Sequence, residues 1–114
     1  MESTNESEGK AMDVDELTTY LDENSRVVSN FRAKMMAYEV EKNKRRQPAK
    51  RWNQTQLDRA VDKSQATFMK SVFDQLSGSI SADKSAKEWA TFIDDNEIAD
   101  SLEESVDMID MDEA

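Results

Sequence analysis

Glycine and proline are the strongest punctuation for the tight reversals of a polypeptide. In 114 residues this chain has two glycines and one proline. Gly9, Pro48 and Gly78 all stand outside the periodic apolar stretches. Hairpins and short strands need such punctuation at close intervals, and here it is nearly absent. With seven Met and many Glu, Lys, Ala and Gln, the chain is expected to be all-α. The expected architecture is two longer amphipathic helices, about 26–46 and 53–76, plus short helices, with disordered acidic termini. Composition sets a limit on how much of it orders. Residues are 37% hydrophobic and 35% charged, with a mean hydropathy of -0.86. That is close to the border where burial no longer offsets the entropy of ordering a chain.

The order of elements follows from apolar spacing. Residues 1–11 show no periodicity and are expected to form a disordered acidic tail. From Asp13 a short helix places Val14, Leu17 and Leu21 on one face, with Tyr20 beside them and acids in its first turn. Asn24-Ser25 breaks the pattern, and either residue is a candidate cap for the next helix. That helix carries Val28, Phe31, Met35 and Tyr38 at spacings of three and four, and Pro48 ends it. Asn53 and Gln56 match a capping box, with Trp52 and Leu57 placed for a hydrophobic staple. The stripe that follows is Leu57, Val61, Ser64, Phe68, Val72 and Leu76, closed by Gly78 in a left-handed cap. Ser81 or Asp83 is then expected to cap a shorter helix bearing Ala86, Trp89, Ala90 and Ile93. Beyond Asp94-Asp95-Asn96 comes an acidic amphipathic tail, 94–114, helical in part, with Ile98, Leu102, Val106 and Ile109 on its apolar side. The helical region between the tails is 12–93.

Charge is distributed in blocks. Residues 1–25 hold one Lys and eight acids (-7), residues 26–70 twelve Lys/Arg and four acids (+8), and residues 71–114 two Lys and thirteen acids (-11). The positive block peaks at Lys42, Lys44, Arg45, Arg46, Lys50 and Arg51, with Trp52 next in line. Such a run reads as a nuclear import signal, as a phosphate-binding patch with an aromatic for stacking, or simply as a solvated helix end. The acidic blocks read as solubilising arms or as a binding surface for a basic protein such as a histone.

Two further stretches are candidates for binding. A helix that docks in a groove presents anchors at the spacing of Val28, Phe31, Met35 and Tyr38, with Arg32 and Lys34 at the rim. The same stripe equally suits packing against the 57–76 helix. In the C-terminal segment, Val106-Asp107-Met108-Ile109-Asp110 loosely resembles a SUMO-interacting motif, and Ser101 precedes Glu103 and Glu104, a setting that suits acidic-directed kinases.

Much chemistry is excluded. With no Cys and no His, disulfides, thiolate chemistry, the usual zinc ligand sets and the commonest general base are absent. Asp107, Asp110 and Asp112 lack the turn glycine and closing glutamate of a calcium loop. No Gly-rich phosphate loop and no membrane-length apolar run occur, and the polar, acidic N-terminal stretch is unlike a signal peptide. The expectation is a non-enzymatic protein without cofactor or metal, in the nucleus and/or cytoplasm.

The segment Phe31-Arg32-Ala33-Lys34-Met35-Met36, in a helix between acidic arms, resembles small nematode adaptors that dock a helix onto the enhancer-of-rudimentary homologue in a small-RNA (piRNA) processing complex. The resemblance implies an adaptor for small-RNA maturation, with a docking helix at about 26–40 and protein partners in a multi-subunit complex. Two rival expectations stand beside it: a nucleic-acid or histone-associated factor, and a self-associating helical scaffold.

Overall fold

The computed structural model describes residues 10–81 and 83–109. They form five helices and no strand: α1 Val14–Asn24, α2 Val27–Lys44, α3 Gln54–Ser77, α4 Ala86–Asp95 and α5 Ile98–Asp107, with a short 3-10 turn at Pro48–Lys50. The all-helical expectation holds for these residues. The parts of the expected disordered ends at 1–9 and 110–114 lie outside the described residues.

Helix α2 is the hub. It pairs with α3 as an antiparallel hairpin; α5 packs against α2, and α1 packs against both α2 and α3. Phe31 stacks on Phe68 across the hairpin, with centroids 4.3 Å apart and rings 11° from parallel. One continuous core runs from Leu17 and Leu21 of α1 through Val27, Phe31 and Met35 to Val61, Met69 and Val72 of α3. It continues to Trp89 and Ile93 of α4 and Val106 of α5. Leu17 and Leu21 are completely buried, each worth about 1.5–3 kcal/mol relative to exposure.

Local signals account for most helix ends. At α1, Asp13 and Glu16 form a reciprocal capping box, each side chain accepting from the other's backbone N–H at 2.8 and 3.0 Å. Asn53 and Gln56 do the same for α3, at 2.9 Å both ways. The cap of α4 is Ser85, boxed with Glu88, and neither Ser81 nor Asp83 fills that position. The start of α2 departs from the expected Asn24 or Ser25 cap. Ser25 Oγ donates to Leu21 O and accepts from Val27 N, joining the two helices, while the N-cap residue is Arg26. The Arg26 N–H is bound at 2.8 Å by the Glu103 carboxylate of α5. Gly78 ends α3 at φ -74, in the right-handed region, so no left-handed cap forms there. On α3, Met69 is fully buried and Phe68 only half, a small rotation from the expected stripe.

The segment after Asp95 is integral to the bundle. Glu97 turns the chain with φ 52, the single positive φ among the described non-glycine residues, and α5 then folds back onto α2. Val106 is buried and Ile98, Leu102 and Ile109 pack half-buried on the core. Lys34 of α2 donates to Val106 O and Asp107 O at the C-terminal end of α5, at 3.0 and 2.6 Å. An acid of α5 therefore sits on the positive pole of α2, and a lysine of α2 sits on the negative pole of α5.

Candidate functional site

The α2–α3 hairpin carries the basic run to one end of a molecule 54 × 30 × 21 Å in extent. The run is folded. Its first half ends α2 and its second half forms the 3-10 turn, which Pro48 initiates with its fixed φ. Asn43 holds the two ends together. Its Nδ2 donates to Trp52 O at 3.1 Å and its Oδ1 accepts from Trp52 N at 2.9 Å. This clasp across nine residues has no sequence signature beyond an Asn in the last turn of a helix.

The six basic side chains divide into two kinds. Arg46 lies over the Trp52 ring, 4.0 Å from its centroid, and donates to Asn43 Oδ1 at 2.9 Å. Arg51 donates to Arg46 O and Lys44 O, at 3.1 and 3.2 Å, closing carbonyls that the end of α2 leaves open. These two arginines build the tip. Lys44 pairs with Glu41 on its own helix at 3.0 Å, an exposed contact of little energetic weight. Lys42 stands 5.7 Å from the Tyr38 ring. Lys42, Arg45 and Lys50 are exposed, and among the described residues no acid pairs with them. The tip thus presents cations held on a braced turn, with an arginine stacked on tryptophan at its centre.

The other candidates are placed differently. Val28, Phe31 and Met35 are buried in the molecule's own core, and Tyr38 is half-buried. Arg32 pairs with Asp62 at 2.9 Å and with Gln65 at 2.6 Å, and Lys34 is engaged at the end of α5. The stripe expected to meet a groove therefore meets α3 and its neighbours. Ile98, Leu102, Val106 and Ile109 likewise face inward, and the Val106–Asp107 part of the SUMO-like motif is helical. Asp110 of that motif lies outside the described residues. Ser101 is exposed on α5.

Elsewhere, an open depression of about 450 Å³ lies between the end of α3 and α4, over Ile80 and Phe92 and rimmed by Lys84, Glu88 and Asn96. Beside it, a hydrogen bond from the Ser81 side chain holds the Asp83 carboxyl below the usual carboxylate range. Among the described residues no three His, Cys, Asp or Glu side chains converge on a point where a metal would sit. None of the described helices is long and apolar enough to cross a membrane. Compared with protein-family models, with curated proteins and with solved structures, the chain finds no match.

Proposed function

We propose that this protein is a non-enzymatic helical binding module whose working surface is the basic hairpin tip, and that the tip engages the phosphate backbone of a nucleic acid. The observation that carries the reading is the division of labour at the tip. Arg46, Arg51 and Asn43 fix the turn, and Lys42, Arg45 and Lys50 project from it unpaired by any described acid. With the backbone already braced, only side-chain freedom is left to lose on meeting phosphate, and each contact releases condensed counterions. The acidic remainder of the chain limits non-specific adhesion and leaves a negative surface for protein partners in a larger assembly.

Docking of the 26–40 helix in a partner's groove, the adaptor mechanism that the Phe31–Met36 resemblance implies, would require α2 to leave α3 and α5. A partner would have to replace the Phe31–Phe68 stack and the burial of Val28 and Met35. The tip needs no such opening, which is why it is preferred.

The test is fluorescence anisotropy with a labelled single-stranded RNA 20-mer and a duplex DNA of equal length, at 50 and 200 mM salt. Replacing Lys42, Arg45 and Lys50 together with Gln is expected to weaken binding by about tenfold or more at 50 mM salt. Unchanged affinity of that triple variant, or no binding by the wild type at 50 mM, overturns the proposal.

A further inference from the structure

Ser101 carries a pattern that the tip does not use. It is the only Ser or Thr of the chain followed by acids at both the second and the third position, Glu103 and Glu104, and Asp100 precedes it. A kinase with a basic substrate groove is drawn to such a hydroxyl by charge complementarity. Ser101 is exposed and is the fourth residue of α5. It lines an open depression of about 310 Å³ between α5 and the second half of α3, with Val72, Leu76, Ile98 and Leu102. Helix α5 packs on α2 and α4 and leaves this side, toward α3, unfilled.

The backbone at Ser101 is helical, its N–H donating to Glu97 O at 3.1 Å. Phosphoryl transfer needs the hydroxyl in line with the γ-phosphate and within reach of a catalytic carboxylate, so the acceptor segment has to leave its helix and lie in the enzyme. Helix α5 is suited to that. Ten residues of helix are marginal alone, and Val106 is its one fully buried side chain. Ser71 also has an acid three residues on, Asp74, but it sits within α3, which has 24 residues and five buried side chains.

A phosphate on Ser101 adds close to two negative charges. Glu97 stands four residues before it and Glu104 three after, and like charges at those spacings destabilise a helix. No Lys or Arg lines the depression beside it. Glu103, which holds the Arg26 N–H, is two residues on, about 200° round the helix. Lys34 is bound at the far end of α5, six helical steps or roughly 9 Å away. The positive pole of α5 offsets part of the added charge, but Asp100 already occupies it.

We propose that Ser101 is a phosphorylation site for a protein kinase of acidic specificity, and that the phosphate holds α5 off the bundle. The bond from Ser101 Oγ to the γ-phosphorus of ATP forms as the bond from that phosphorus to the β–γ bridging oxygen breaks. The hydroxyl proton goes to the kinase's catalytic carboxylate, and ADP leaves. The site is separate from the tip, and each reading stands or falls without the other.

The experiment incubates the full chain with ATP, magnesium and a constitutively active kinase of the casein-kinase class, and maps phosphate by mass spectrometry. One phosphate at Ser101, absent from Ser101→Ala, is expected. No incorporation, or undiminished incorporation in Ser101→Ala, overturns the site. Hydrogen exchange in residues 98–107 of the phosphorylated chain is expected to quicken about tenfold while the α2–α3 hairpin stays protected. Unchanged exchange overturns the release of α5. Lys34→Met, which frees the end of α5, is expected to be phosphorylated about two- to fivefold faster than the wild type. Equal rates overturn opening of α5 as the step that admits the kinase.

Discussion

Glu97 turns the chain between α4 and α5 in the left-handed region, at φ 52. Residues with a side chain occupy that region at a cost of roughly 1–2 kcal/mol, which glycine avoids while losing some unfolded-state entropy in return. Glu97→Gly is therefore expected to stabilise the fold by roughly 0.5–1 kcal/mol, and Glu97→Val to destabilise it. Thermal melts followed by circular dichroism check both signs. Glu39 is a second residue at odds with its surroundings. It is 7% exposed, and its Oε1 has no hydrogen-bond partner in the structure. A buried carboxylate oxygen left unsatisfied is costly, so Glu39→Met, similar in length and apolar, is expected to raise stability by about 1–3 kcal/mol in urea unfolding. A loss of stability would mean that the carboxylate has a partner in solution. Neither site was legible beforehand. A glutamate beside Asp95-Asn96 reads as surface, and Glu39 follows Tyr38 in a helix where burial depends on which neighbours arrive. Residues whose partners are local were legible: the Asn53–Gln56 box works within four residues. Ser85 does not stand out in the sequence, because Ser81 and Asp83, just upstream, offer the same cap chemistry.

At the scale of elements, α5 shows why local pattern was insufficient. Its apolar residues were visible at spacings of four, four and three, but acids surround them. Ten residues of this kind are marginal as an isolated helix. What orders α5 is the side of α2, together with Glu103 at the Arg26 N–H and Lys34 at the last carbonyls. The two contacts are long-range and place opposite charges on opposite helix poles, which no window on the sequence displays. Lys34→Met, which keeps the aliphatic stem, is expected to weaken the docking of α5 by about 0.5–1 kcal/mol. Hydrogen exchange should then quicken in residues 98–107 while the α2–α3 hairpin stays protected. Equal acceleration throughout would mean that α5 is not a separate unit of stability. The stripe Val28, Phe31 and Met35 suits two destinations, a partner or α3, and the hairpin supplies the second.

Across the whole molecule, charge is separated along the length of α2. The tip stands at its C-terminal end. Asp94, Glu97 and Asp100, with Tyr20 and Asn24, line a depression of about 400 Å³ by its N-terminal end. Eighteen residues of helix, roughly 27 Å, lie between. At 0.1 M salt the screening length is about 10 Å, and the acidic end does not reach the tip; at 0.01 M it is about 30 Å and does. Binding of an anionic polymer is therefore expected to strengthen as salt falls toward about 0.05 M and then to level off as the acidic end begins to repel it. A titration down to 0.01 M that stays linear on log–log axes would contradict this.

The two tryptophans fall on opposite sides of that division. Trp89 is 2% exposed and stacked on Phe73, 5.3 Å between centroids, deep in the bundle, whereas Trp52 is half-buried in the tip beneath Arg46. The molecule thus contains two emitters with separate audiences. Iodide, an anion, is drawn to the positive tip and should quench Trp52 more strongly than caesium, while neither ion reaches Trp89. Light from one indole then follows occupancy of the tip, and light from the other follows the integrity of the core, so ligand capture and unfolding are read in the same cuvette.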